Sequence, residues 1–135
     1  MTVVDWAGGM RFVGKGASGH EVVMDAAEPL GANSAARPVE ALLCALGGCT
    51  GMDVVSILRK MNTEPKTLRV EIEDERAAEY PKVIRKLRLV YVVTGDVPPE
   101  NLKKAIDLSL AKYCPIANTL AGVAKITYEA RVDAA

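Results

Sequence analysis

What most constrains the fold of this 135-residue chain is one long apolar helix. Val39, Leu42, Leu43, Leu46, Val54, Ile57, Leu58 and Met61 recur at helical spacing and predict a helix from about Pro38 to Met61. Pro38 suits its first turn, where the missing N–H does no harm. The first half, VEALLCALGGC, is apolar almost all round and demands cover on most sides. Aromatic residues make up only 4% of the chain, so a domain this small cannot wrap such a helix unaided. A second copy is the economical cover, and a homodimer is expected.

The length fits one domain, residues 1–135. With half its residues hydrophobic, the chain is not disordered. Seventeen basic residues balance seventeen acidic ones, which leaves no electrostatic footprint for nucleic acid or anionic lipid. The opening MTVVDWAGG lacks the basic and apolar regions of a signal peptide. The run from Ala41 to Met52 is too short and glycine-rich to span a bilayer. The expected setting is cytoplasmic, with no membrane partner.

Around the helix the pattern is β. Strands are expected at Thr2 to Ala7, Met10 to Lys15 and His20 to Asp25, the first two joined by a Gly8-Gly9 turn. Leu68, Val70 and Ile72 alternate with charged residues, and Val83 to Thr94 sets Leu87, Leu89, Tyr91 and Val93 on one face. A helix is expected from Pro99 to about Lys112, a short one from Cys114-Pro115 to Leu120, and a last strand from Lys125 to Val132. The order β-β-β-α-β-β-α-α-β with antiparallel hairpins is α+β.

Three cysteines, Cys44, Cys49 and Cys114, and a single histidine, His20, limit the chemistry. No CxxC or Cys/His cluster is present, so no metal is expected. One histidine at a turn makes a histidine-based hydrolase improbable, and His20 reads as a surface or capping residue. Cys49 lies mid-helix among Gly47, Gly48 and Gly51. Each glycine costs roughly 0.5–1 kcal/mol against alanine there. The missing side chains allow either a substrate or a packed neighbour to approach the sulfur. Cys114 precedes Pro115 at a helix start, where free backbone donors favour a thiolate; a buried half-polar cysteine at a turn is the equal alternative. Cys44 reads as a small buried hydrophobe. Residues five apart on an intact helix have Cα atoms about 8.6 Å apart, beyond the ~4.4–6.8 Å a disulfide spans. Asp53, one turn past Cys49, falls in the apolar stripe and needs a hydrogen-bond partner.

The segments RPVEALLCALGGCTGMDVVSILRKM and LSLAKYCPIANTL resemble the two cysteine motifs of the OsmC/Ohr family, the osmotically inducible and organic-hydroperoxide-resistance proteins. WAGGMRFVGKGASGHEVVMD is similar to the family's opening hairpins, so the resemblance covers essentially the whole chain. It implies antiparallel sheets wrapped around central helices in an intertwined homodimer. It also implies thiol-dependent reduction of organic hydroperoxides without a bound cofactor. Cys49 matches the peroxidatic position and Cys114 the resolving one. An external dithiol, such as a lipoylated protein or a small thiol, would complete the cycle.

Family members carry a glutamate directly after the helix-opening proline, where it holds a catalytic arginine. Here Val39 takes that place and Glu40 follows it. Glu40, Arg37, Arg11 and Asp53 are therefore the candidate supporting residues, although the charge of Asp53 would raise a neighbouring thiol's pKa. The rival reading is a non-catalytic dimer of the same fold that binds a small apolar ligand and keeps its cysteines for packing.

Overall fold

The computed structural model describes residues 1–134. Their elements are β1 (Val3–Trp6), β2 (Phe12–Lys15), β3 (Glu21–Met24), α1 (Pro38–Lys60), β4 (Thr67–Arg76), β5 (Ile84–Thr94), α2 (Pro99–Leu108), a π-turn (Ser109–Tyr113), α3 (Pro115–Leu120) and β6 (Lys125–Asp133). The α+β order matches the sequence reading element for element. Two compact units divide the chain, Met1–Cys44 and a second from Ala45 onward.

In the first unit β1, β2 and β3 form an antiparallel meander. Gly8 and Gly9 both take positive φ (94° and 56°), which L side chains adopt at a cost, and so close the first turn. Trp6 Nε1 donates to the Gly9 carbonyl at 2.9 Å across it. After β3 the chain is organised by Asp25, the only buried acid among the described residues. Its carboxylate accepts the Ala26, Ala32 and Ser34 amides and the Ser34 hydroxyl, the last at 2.6 Å. These bonds hold its pKa down at about 2. Gly31 has no room for a side chain here, since a Cβ would stand 2.4 Å from the Ala26 carbonyl oxygen.

The second unit is built on the sheet β4-β5-β6. Strand β5 is central, and Leu87, Leu89, Tyr91 and Val93 on its inward face are completely buried, as their alternation predicts. Strand β4 pairs with it antiparallel, but β6 joins in parallel. The expectation of purely antiparallel sheets is corrected here. Alternation reports which face a residue takes and not the strand's direction, and the α2–α3 segment supplies the crossover that a parallel partner requires. Helix α1 buries Leu46, Thr50, Val54 and Leu58, an exact four-residue repeat. As a whole it is long and apolar enough to cross a membrane by length and composition, which the shorter run 41–52 is not. Its four-residue stripe is spent instead on the core of the second unit, where Thr50 meets Tyr91 of β5.

The expected helix from Pro99 to Lys112 ends as α at Leu108 and widens into the π-turn. There the Cys114 amide reaches back five residues to the Ser109 carbonyl at 2.8 Å. Propensity does not announce that extra residue in the turn.

Candidate functional site

Cys49 and Cys114 are both in the second unit and are brought together. Cys49 projects from α1 and is half-buried. Cys114 caps α3 and is wholly buried. Its Sγ accepts the Ala117 amide at 3.3 Å, which is the N-cap geometry expected of it. Of the two readings of that position, the buried cysteine at a turn is the one observed. Burial first, and the adjacent Cys49 side chain second, push the Cys114 thiol up to about 11. The Ala117 and Ile116 amides at the start of a six-residue helix pull the other way but do not offset loss of water around the anion.

Cys44 is exposed in the chain rather than buried. Helix α1 is unbroken through Gly47 and Gly48, so the geometric bar to a Cys44–Cys49 disulfide stands. His20 is exposed, with its amide on the Ser18 hydroxyl at 3.4 Å. The three glycines beside Cys49 divide by direction. A Cβ on Gly47 would meet Ile72 Cδ1 at 3.1 Å, and one on Gly51 would meet Val70 and Leu68 at 3.8 and 3.9 Å. Both let α1 settle on β4. A Cβ on Gly48 would meet nothing within 4 Å. Close packing therefore accounts for Gly47 alone; at Gly51 a methyl would sit at ordinary contact distance, and open space flanks Gly48.

Asp53 finds the partner its position demands: the Ser109 hydroxyl donates to its Oδ2 at 2.8 Å. That bond ends a chain of buried hydroxyls which the sequence reading did not anticipate. Thr50 Oγ1 lies 2.7 Å from Ser109 Oγ and 2.8 Å from the Tyr91 hydroxyl. Thr50, Ser109 and Tyr91 are all fully buried. Because Ser109 donates to Asp53, its oxygen accepts from Thr50, and Thr50 accepts from Tyr91. Burial, opposed by the Thr50 hydrogen bond and helped a little by Cys114, Tyr128 and Asp53, pushes the Tyr91 phenol up to about 12, so it stays a donor. The available signal was a hydroxyl, Thr50, on an otherwise apolar stripe of α1.

Glu40, Arg37 and Arg11 belong to the first unit and make their bonds there. Glu40 Oε1 accepts the Arg37 amide at 2.9 Å, half of a capping box at the start of α1. Arg37 Nη1 donates to the Ala35 carbonyl at 3.0 Å and Arg11 Nη1 to Ser34 Oγ at 2.9 Å. The position of Glu40 thus has a helix-capping explanation of its own.

Comparison with known proteins agrees with this architecture. A family model described as OsmC-like protein matches residues 31–129. Protein YhfA of Escherichia coli K12 is 38% identical over 133 residues, covering 98% of this chain and 97% of that protein. The crystal structure of a hypothetical protein from Aquifex aeolicus superposes with a TM-score of 0.82 at 26% identity, covering 98% of this chain and 96% of the other. An organic hydroperoxide resistance protein OsmC from Legionella pneumophila has a TM-score of 0.72 at 15% identity over 98% and 97% of the two chains, a likeness of fold. With a family model over most of its length and a relative 38% identical across nearly all of it, the chain belongs to the OsmC-like protein family.

Proposed function

We propose that the protein is a thiol-dependent peroxidase that reduces organic hydroperoxides to alcohols. The observation that carries the reading is the unequal pair: a half-exposed Cys49 beside a buried, protonated Cys114. The family, which includes hydroperoxide-reducing members, supports it. The Cys49 thiolate attacks the distal oxygen of ROOH. The O–O bond breaks, ROH leaves with a proton, and Cys49 becomes a sulfenic acid. Cys114 then attacks that sulfur, forming the disulfide and releasing water. An external dithiol, itself oxidised to a disulfide, restores both thiols by exchange.

Lowering the pKa of Cys49 alone would not make such an enzyme fast. Moving a thiol from ~8.5 to ~6 raises its thiolate fraction at pH 7 about 30-fold. The accompanying loss of nucleophilicity removes roughly 13-fold. A donor to the leaving oxygen contributes more, ~10²–10³ in rate. Arg11 and Arg37 are bonded within the first unit, so the proposal rests on the dithiol and assigns them no step. The working form is a homodimer, in keeping with the exposed Val3, Val4, Trp6 and Leu42.

The test is stopped-flow oxidation of the reduced protein by cumene hydroperoxide and by H₂O₂, followed by intact mass. Cys49 lies on a largely apolar helix, which favours the bulky organic oxidant. One equivalent should remove about 2 Da, the signature of a disulfide. Cys49→Ser abolishes the reaction, whereas Cys114→Ser reacts once and proceeds to sulfinic acid under excess oxidant. Cys44→Ser behaves as wild type. Thiols no faster than free cysteine defeat the proposal.

A further inference from the structure

Ser109 stands at a junction that the thiol chemistry by itself does not explain. Its fully buried hydroxyl is fastened to α1 twice, at Thr50 (2.7 Å) and Asp53 (2.8 Å), one and four residues beyond Cys49. Its carbonyl accepts the Cys114 amide at 2.8 Å across the π-turn. One residue therefore ties the helix that carries the first cysteine to the backbone of the second. Apolar contacts tolerate sliding of a few tenths of an ångström, whereas hydroxyl hydrogen bonds lose strength steeply with distance and angle. The hydroxyl chain is also directional and complete, and no buried side-chain polar atom among the described residues lacks a partner. Shifting the π-turn would strand at least one buried hydroxyl without a partner.

We propose that Ser109, held by Thr50 and Asp53, is a positioning residue that sets the separation of Cys114 from Cys49 and thereby how readily the two close to a disulfide. The proposal rests on the dithiol reading above, but its test does not depend on peroxide. A disulfide needs its Cβ atoms within ~3.5–4.5 Å, so small errors of placement are felt directly in its stability. In a glutathione buffer the reaction is protein dithiol plus oxidised glutathione giving protein disulfide plus two reduced glutathione. Its equilibrium constant is the effective concentration of one thiol at the other.

The experiment measures that constant for wild type, Ser109→Ala and Ser109→Thr, with Cys44→Ser in the background of all three. The expected result is a fall of tenfold or more in Ser109→Ala and recovery to within about threefold in Ser109→Thr, which keeps the hydroxyl. A mutation that only loosened the fold would destabilise dithiol and disulfide alike and leave the constant unmoved. An unchanged constant in Ser109→Ala overturns the proposal, and so does a wild type that forms no Cys49–Cys114 disulfide. Should Ser109→Ala fail to fold, Thr50→Val removes the adjoining hydroxyl at equal volume and is judged by the same tenfold criterion. Stopped-flow with cumene hydroperoxide on the same samples separates the two ideas. Failure of Cys49 to react sinks the peroxidase, and the glutathione constant still decides the role of Ser109.

Discussion

In the sheet β4-β5-β6 the central strand hides Leu87, Leu89, Tyr91 and Val93 completely, while in β1-β2-β3 the residues Val3, Val4, Trp6, Phe12 and Val22 stand exposed. Both sheets have three strands, and both are rich in β-branched and aromatic residues. The difference lies in what covers them. The second unit carries its own helices, whose buried stripes supply a layer against one face. Besides the opening turns of α1, the first unit has only four-residue strands and a loop tied around Asp25. Cys49, Cys114 and the Tyr91–Thr50–Ser109–Asp53 chain all sit in the covered unit. Apolar surface of the kind the other presents marks an interaction face, in keeping with the proposed dimer.

Truncations test that contrast most strongly. Leu89→Ala leaves a cavity in a completely buried site and should cost about 2–5 kcal/mol in urea unfolding. Val4→Ser removes an exposed methyl pair and should cost within about 0.5 kcal/mol for a chain on its own. If a second copy covers the first sheet, Val4→Ser instead weakens assembly, and light scattering over a dilution series shows dissociation at a higher concentration than wild type. A monomer at every concentration, with wild-type stability in Val4→Ser, would leave the exposed sheet without the proposed cover.

Most of this architecture was legible in the sequence because each strand and helix advertises its own period. The apolar stripe gave α1 within a residue of its observed end, and alternation gave the buried face of β5. What was not legible depends on long-range pairing. Thr50 meets Tyr91 and Ser109, which are 41 and 59 residues away in the chain, and no local pattern encodes such meetings. The direction of β6 and the π-turn before Cys114 have the same origin. Cys114 shows a local rule overridden: its position as a cap favours the anion, and burial reverses the balance. The local pattern places Asp25 only at the end of a strand, because its role is fixed by amides up to nine residues ahead that close a loop upon it.

Acid sharpens the contrast at a smaller scale, because the two units invest their carboxylates differently. Asp25 accepts four hydrogen bonds in the first unit and its pKa is lowered to about 2. A carboxylate with a depressed folded pKa contributes stability that is present above its unfolded value and is lost as pH falls through the folded one. The contribution of Asp25 should therefore be intact at neutral pH and decline from about pH 4 to about pH 2. The Ser34 amide proton should titrate with a midpoint near 2 by NMR, while amides of β5 stay unmoved over that range. Asp25→Asn should remove the titration and loosen the loop at all pH values. A Ser34 midpoint at the ordinary carboxylate value would show that the cluster does not hold in solution.

The smallest expected effect concerns the open flank of α1 beside Cys49. Gly47 and Gly51 face β4, but Gly48 faces nothing within 4 Å of an added Cβ. A helical glycine with room beside it is a conformational cost without a packing return, since alanine is favoured by roughly 0.5–1 kcal/mol. In the chain taken alone, Gly48→Ala should stabilise by about that amount. Gly51→Ala should gain similarly at ordinary contact distance. Gly47→Ala should gain less or lose, because Ile72 must yield at 3.1 Å. Thermal unfolding of the three variants ranks them. Should Gly48→Ala prove destabilising, the space beside Cys49 is filled in solution by something the single chain does not contain. Concentration dependence of the loss would then identify a second copy. If stability rises as expected but Cys49 reacts more slowly with cumene hydroperoxide than with H₂O₂ relative to wild type, the open flank is the path by which a bulky substrate reaches the thiol.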